Sequence, residues 1–375
     1  MEPFKNGINP AALERIAAAL TSAWPAFPRA RFLRAARDGL DALELKQRVH
    51  HVIGAMRVTL PADFREQAAI LGRVRDHWDA GNSADPLRGF AAWPVIDLVA
   101  VTGIGHTDLA LDTLRRLTPM FSAEFAIRPF LAADWARCAK HLLRWTEDED
   151  KHVRRLASEG SRPRLPWGMR LAHLVRDPKP TLPLLERLRD DPEDYVRRSV
   201  ANHLNDIGKD HPELVVEICG RWARKAPPGR AWIIRHATRS LVKAGHTGAM
   251  ALHGAEAGAK VRVERFAAAE KSVTVGDRQT LSFALASDSP QPQRLILDFA
   301  VHYRKADGSA RPKVFKWAVV ELAPGERIER NKTLSFKMIT TRRFYPGAHR
   351  VELLVNGRAV AETTFQLRAG GDSPG

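Results

Sequence analysis

Cysteine is almost absent from this 375-residue chain, which has only Cys138 and Cys219. The two lie far apart with no second cysteine at metal-ligand spacing, which removes a disulfide framework and a cysteine-pair zinc site from consideration. Both are expected to be buried, reduced thiols, in keeping with a cytoplasmic protein. Long apolar runs are missing as well. Nothing approaches the roughly 18 consecutive apolar residues that a membrane-crossing helix needs, so no membrane partner is expected. The opening MEPFKNGINP lacks a basic stretch followed by an apolar one, which argues against secretion. Metal and nucleotide signatures are wanting too. The fourteen histidines include His50-His51 but form no HExxH pattern, and Gly103-Ile-Gly105 is too short for a Rossmann or Walker loop. No metal and no cofactor is expected.

Positive charge is abundant. The formal net charge is +16, which favours a polyanionic partner such as nucleic acid, although a basic balance also serves solubility. Residues 259–375 hold 20 Lys and Arg against 12 Asp and Glu, so the C-terminal part is the more densely basic. At 44% apolar and 27% charged the composition is that of a globular protein, and the length suggests two domains.

From Pro10 to about residue 245 the apolar residues recur at helical spacing, as in Leu13, Ile16, Ala17 and Leu20. Frequent punctuation (Pro25, Pro28, Pro61, Pro86, Pro119, Pro129) keeps each helix short. The segment Asp150–Glu159 aligns with Glu193–Asn202, so that Val153, Arg154 and Arg155 fall on Val196, Arg197 and Arg198. That offset of about 43 residues lies in the range of HEAT and armadillo units. Asp191–Trp222 reads as one unit, with Pro192 starting a helix whose apolar stripe includes Tyr195 and Val196, Gly208 ending it, and Pro212 starting the next. A compact helical bundle without repeats is the competing interpretation. Phe4, Trp24 and Phe27 read as packing residues of the first helices.

Beyond Gly245 the pattern changes. His246–Lys260 reads as a linker, and after it the apolar period becomes two: Leu281, Phe283 and Leu285, then Leu295, Leu297, Phe299 and Val301, then Phe315, Trp317 and Val319. Val351, Leu353 and Val355 lead into Asn356-Gly357, a strong hairpin signal. About seven strands in this stretch suggest an immunoglobulin-like sandwich without an inter-sheet disulfide. The expected architecture is multidomain: an all-α HEAT-like repeat solenoid over residues 1–250, followed by an immunoglobulin-like β-sandwich over 260–370.

The densest unusual cluster lies between Thr118 and Trp167. Glu124 precedes an Arg128-Pro129-Phe130 turn, and Glu159 abuts Gly160 at a helix C-terminus, where the dipole disfavours a carboxylate. The stiff Arg162-Pro163-Arg164-Leu165-Pro166-Trp167 stretch presents the indole on a loop. Carboxylates can stabilise an oxocarbenium sugar and position a water. An indole offers a π face to a base, and arginines hold phosphates. Surface salt bridges and ordinary packing are the plainer readings of the same residues.

Three stretches carry a family resemblance: Glu124-Phe-Ala-Ile-Arg128-Pro129-Phe130, Ala157-Ser-Glu159-Gly160-Ser-Arg162-Pro163-Arg164-Leu165-Pro166-Trp167, and Ser199 to Pro212. The chain resembles the AlkC family of DNA alkylation repair glycosylases, relatives of AlkD in the HEAT-like repeat superfamily, over about residues 10–245. One branch of that family carries an appended immunoglobulin-like domain. The resemblance implies hydrolysis of the N-glycosidic bond of 3-methyladenine, and of 3-methylcytosine, in double-stranded DNA. It implies that Glu124, Glu159, Trp167 and Asp206 are active-site residues. The duplex is expected to bend with no deep base-flipping pocket, as most glycosylases use. Phosphate contacts are expected from Arg155, Arg162, Arg164 and Lys209, and from Lys313, Lys316, Arg342 and Arg343 of the β domain. A monomer is expected. The alternatives are a non-catalytic DNA-binding module and a protein–protein scaffold, both common uses of solenoids and sandwiches.

Overall fold

The computed structural model of the chain describes residues 2–256, 258–338 and 343–370. Among them are sixteen α-helices, from Pro10–Ala23 to Thr247–Ala251, followed by eight β-strands. Among the described residues no helix is long and apolar enough to cross a membrane. Contacts group the chain into two units: residues 1–210 with 227–233, and residues 211–226 with 234–375. The second unit therefore gathers the helices Pro212–Ala223, Arg239–Lys243 and Thr247–Ala251 together with the strands.

Side-chain caps start several helices of the first unit and explain their boundaries. Asn9 accepts from Ala12 N and is followed by Pro10 at the first helical position. Asp63 accepts from Arg65 N and Glu66 N, and Asp134 from Arg137 N. The buried faces repeat every three or four residues, as in Leu13, Ile16, Ala17 and Leu20. The helix expected to start at Pro192 runs instead from Asp194 to Ile207, with Glu193 at its N-cap and Gly208 at its C-cap.

The internal repeat is legible in side-chain geometry as well as in sequence. Arg154 donates through Nη1 to the carbonyls of Asp148 (2.9 Å) and Glu149 (3.0 Å). Arg197 does the same to the carbonyls of Asp191 (2.6 Å) and Pro192 (2.7 Å). Both arginines thus satisfy the free carbonyls of the turn that precedes their own helix. At the next position the copies part. Arg198 is exposed and pairs with Asp194 one turn earlier, whereas Arg155 turns into a buried ionic cluster.

In the second unit the strands are β1 (Val261–Ala268), β2 (Ser272–Thr274), β3 (Arg278–Ser287), β4 (Gln293–Arg304), β5 (Ala310–Leu322), β6 (Arg327–Ser335), β7 (Gly347–Val355) and β8 (Arg358–Arg368). They form two sheets, ordered β1-β3-β6 and β2-β8-β7-β4-β5. Every neighbouring pair is antiparallel except the short β2, which runs parallel to β8. Leu281, Phe299, Val301, Leu334, Val351 and Phe365 meet between the sheets, so the period-two residues of both line one core. This is an immunoglobulin-like sandwich, with one strand more than expected because the three-residue β2 carries little pattern.

The supposed linker 246–260 is partly helical. His246 caps Thr247–Ala251 by accepting from Ala249 N, and Ala249 and Met250 are buried. The strands explain why. Ile296, Asp298 and Ala300, on the second face of β4, are also buried, so that face is covered. Burial raises the Asp298 carboxyl to about 6, against the opposing pull of Lys316 and of Lys243 from the Arg239–Lys243 helix.

Asn356-Gly357 makes the two-residue turn between β7 and β8, with φ of 46° and 74°. The Asn356 carboxamide accepts from Ile296 N (2.8 Å) and donates to Glu256 O (2.8 Å). A Cβ on Gly357 would stand 2.5 Å from the Gly245 Cα, a backbone atom that cannot swing aside. Gly357→Ala is therefore expected to destabilise the protein by about 1–3 kcal/mol, combining a left-handed backbone with a clash. Comparing denaturation midpoints of the two proteins checks it, and an unchanged midpoint would contradict the close approach.

Candidate active site

The Lys151–Glu159 helix begins at Asp150, which accepts from His152 N at 2.7 Å, and ends on Glu159. Gly160 follows because nothing larger fits: a Cβ there would lie 2.7 Å from Ile127 Cγ2 and 3.0 Å from Leu156 O. Glu159 is 5% exposed, and burying an isolated carboxylate is costly. It is compensated by two guanidinium groups. Arg155 lies one turn back on the same helix with Nη2 3.5 Å from Glu159 Oε1, and Arg162 Nη1 approaches the same oxygen at 2.6 Å. Burial pushes the Glu159 carboxyl up, but Arg155, Arg162 and a hydrogen bond from Ser199 outweigh it and hold it below the usual carboxylate range. Glu159 is ionised at neutral pH.

The same cations reach further carboxylates. Arg155 Nη1 pairs with Glu124 Oε2 at 2.7 Å, and Arg162 Nε with Asp206 Oδ2 at 2.8 Å. Lys209 Nζ closes the row on Asp206 Oδ1 at 2.8 Å. Glu124, Arg155, Glu159, Arg162, Asp206 and Lys209 therefore form a ribbon of alternating sign, in which each buried charge faces its opposite. Burial opposes the charge of Arg155 and of Arg162, and their carboxylate partners more than restore it. Glu124 is half-buried, and its Oε2 also accepts from the Ser122 hydroxyl at 2.7 Å. Its Oε1 has no hydrogen-bond partner among the described residues.

Arg128 ties the ribbon to the tryptophan loop. This fully buried guanidinium donates through Nη1 to Gly160 O (2.7 Å), just past Glu159, and through Nε to Met169 O (2.5 Å), just past Trp167. Burial lowers its pKa to about 10, which leaves it cationic at neutral pH. Gly168 packs closely here: a Cβ would stand 3.0 Å from Leu165 Cδ2 and 3.3 Å from Arg128 Cδ, tight contacts that would press on the Arg128 side chain. Trp167 itself is 56% exposed, with a left-handed φ of 64°. A row of aromatic rings leads from it back to the neighbours of Glu124. Phe4 lies 5.8 Å from the indole, Phe90 5.8 Å from Phe4, and Trp93 6.1 Å from Phe90. Phe125 stacks on Trp93 at 5.0 Å.

A family model described as "DNA alkylation repair enzyme" matches residues 121–241, and one described as "Uncharacterised protein YhaZ, C-terminal Ig-like domain" matches residues 262–369. The uncharacterised protein YhaZ of Bacillus subtilis (strain 168) is 35% identical over 368 residues, covering 98% of this chain and all of its own. The alkylpurine DNA glycosylase AlkC of Pseudomonas fluorescens, solved with DNA containing an abasic site analogue, superposes with a TM-score of 0.91. It is 38% identical over 98% of this chain and all of its own. The chain belongs to the AlkC-like family with a C-terminal Ig-like domain.

In this AlkC-like chain the expected residues fall into three groups. Glu124, Glu159 and Asp206 are joined through the ribbon, and Trp167 is joined to it through Arg128. Arg155 and Arg162, expected at phosphates, have largely buried guanidinium groups that pair with Glu124, Glu159 and Asp206. Arg164 makes a two-bonded pair with Asp210, and Lys209 is half exposed beside Asp206. In the β unit, Lys313 and Lys316 are exposed on β5, an edge strand, and Arg343 is exposed with its guanidinium over Tyr345. Arg342 lies outside the described residues.

Two aromatic side chains expected to pack are exposed in part. Tyr195, placed in an apolar stripe, is 37% exposed and lies over the Arg155 guanidinium at 4.7 Å. Phe4 is 43% exposed, and its ring lies beside Trp167. Sequence reasoning gave no role to Arg128 or His203, although both stand in the quoted motifs. An arginine just before a proline at a helix start was the available signal for Arg128.

His203 is fully buried, with Nδ1 3.0 Å from Ser158 O and no partner for Nε2 among the described residues. Burial, aided by the nearby Arg162, pushes its pKa down to about 3. The imidazole is neutral, with Nδ1–H donating to the carbonyl. A folded-state value below the unfolded one means that the unfolded chain takes up a proton first as pH falls. Stability from this group is present above about 6.5 and is lost below it by about 1.4 kcal/mol per pH unit. Denaturant titrations at pH 7 and pH 5 are expected to show a smaller loss for His203→Asn, which keeps a donor toward Ser158 O, than for the parent. Equal losses would rule out a buried neutral imidazole.

Proposed function

We propose that the chain hydrolyses the N-glycosidic bond of cationic alkylated bases, 3-methyladenine and 3-methylcytosine, in duplex DNA. The observation that carries this reading is the shared guanidinium of Arg155. It holds two carboxylates from distant parts of the chain, Glu124 and Glu159, while Arg128 ties an exposed indole to the end of the Glu159 helix. The membership of the AlkC-like family, and the activity of the Pseudomonas relative as an alkylpurine glycosylase, support it.

The chemistry suits such a site. When the C1′–N bond of a positively charged base breaks, the bonding electrons neutralise the base, so no proton donor is needed at the leaving group. The sugar is left as an oxocarbenium ion, which a nearby carboxylate stabilises. Water then adds to C1′ and gives up its proton to a carboxylate beside it. In our reading Glu124, with Oε1 unengaged, faces the sugar and the incoming water. Glu159, buried between two guanidinium groups, fixes Arg155 and through it Glu124. Asp206 does the same for Arg162, and Trp167 offers its exposed face to the lesion or its sugar. The pathway does not require a metal, because a cationic base already leaves readily.

A non-catalytic DNA-binding protein is the rival reading, and the basic edge strand β5 suits it equally well. Release of free 3-methyladenine from methylated duplex separates the two. Glu124→Gln and Trp167→Ala are each expected to slow release by about 10²–10³-fold, the usual effect of removing one transition-state contact, and Glu159→Gln by about 10²-fold, the scale of misplacing Arg155 and with it Glu124. Wild-type rates in both glutamate variants would overturn the assigned roles. Salt-dependent binding by the parent protein with no base released would favour the binding module instead.

A further inference from the structure

Trp167 is held from a direction that the ionic ribbon does not explain. Its φ of 64° puts a bulky residue in the left-handed region, which costs about 1–2 kcal/mol and needs restraint from the surroundings. Within its own loop the restraints act on the flanks: Gly168 N donates to Leu165 O at 3.2 Å, and Met169 O accepts from Arg128. The contact on Trp167 itself comes from far away in sequence. Lys46 Nζ donates to the Trp167 carbonyl at 2.8 Å, and the Phe4 ring meets the indole edge to face at 5.8 Å.

The two holding residues are built as one piece. Phe4 lies in a 3-10 turn, Phe4–Gly7, and Lys46 in the first turn of the Leu45–Arg57 helix. Arg48, on the same helix and buried, donates through Nη1 to the carbonyls of Lys5 (3.2 Å) and Ile8 (2.9 Å). Lys5 Nζ returns a salt bridge to Glu44, the N-cap of the helix, at 2.8 Å. The turn that carries Phe4 is thus riveted to the helix start that carries Lys46.

We propose that Lys46 is a positioning residue for the proposed reaction. Together with Phe4 it fixes the backbone and ring orientation of Trp167, so that the open face of the indole is presented to DNA in one direction. The proposal rests on the reading of Trp167 as the lesion-contacting side chain. Lys46 touches no reacting atom and acts only through Trp167.

A double-mutant cycle tests this. Single-turnover base release from methylated duplex, with enzyme in saturating excess, is measured for the parent, Lys46→Met, Trp167→Ala and the double variant. Lys46→Met is expected to slow release by about 10- to 100-fold, the scale of a misplacement of about 1 Å. In the Trp167→Ala background the same change is expected to have almost no further effect. Lys46→Arg keeps a donor of similar reach and is expected to restore most of the rate. Parent-like release by Lys46→Met, or equal effects in both backgrounds, would overturn the proposal. An unfolded Lys46→Met variant, visible in its thermal transition, moves the comparison to Lys46→Gln in the same cycle. Should the parent itself release no base, it is the proposed reaction that fails. The cycle is then read on the Kd for duplex carrying an abasic analogue, where the same coupling is expected and additive effects again overturn the positioning role.

Discussion

The first unit turns on one electrostatic constraint: Glu159 is a buried carboxylate at the C-terminal end of a helix, where both desolvation and the helix dipole oppose its charge. Arg155 and Arg162 make that charge tenable, and each brings a second carboxylate with it. Pairing with one partner would have left a guanidinium half satisfied. Alternation along the row lets each group share its neighbours, and so residues from three separated segments converge. Removing any member leaves an uncompensated charge beside the others, so the cluster is a geometric specification as much as a source of stability.

The repeat scaffold explains how such a cluster arises. Arg154 and Arg197 hold the preceding turn in the same way, which shows what the helix pair does as architecture. The neighbouring position is free of that duty. In one copy it is a solvated Arg198. In the other it is Arg155, committed to Glu124 and Glu159. The proposed chemistry thus occupies the position at which two otherwise matching units differ. A different device serves Trp167, whose exposed ring is held by its backbone: Arg128 and Gly168 on one side, and the Phe4–Lys46 piece on the other.

Much of the architecture was legible because periodicity reports burial. The change from a helical period to a period of two marks where helices give way to strands. Asn356-Gly357 marks a turn that leaves little choice of residue. What misled were segments whose environment overrides local pattern. Residues 246–260 look like a linker by composition, yet Ala249 and Met250 are buried and His246 caps a helix. Tyr195 looks like core by spacing, yet its ring is drawn out over Arg155 by a cation that the helix alone does not reveal. For Arg155 and Arg162, residue type gives the positive charge but does not show which carboxylates lie within reach.

By itself, the sequence determined the order of helices and strands, the presence of an internal repeat, and the small set of carboxylates and one indole worth examining. These follow from hydrophobic spacing, backbone restrictions at proline and glycine, and motif likeness, all of which act locally along the chain. Tertiary structure alone decided which charges neutralise each other, which are left for solvent, and which distant residue holds Trp167. Ion pairing and desolvation depend on distances through space, and those exist only once residues 4, 46, 128, 155 and 206 have been folded to meet.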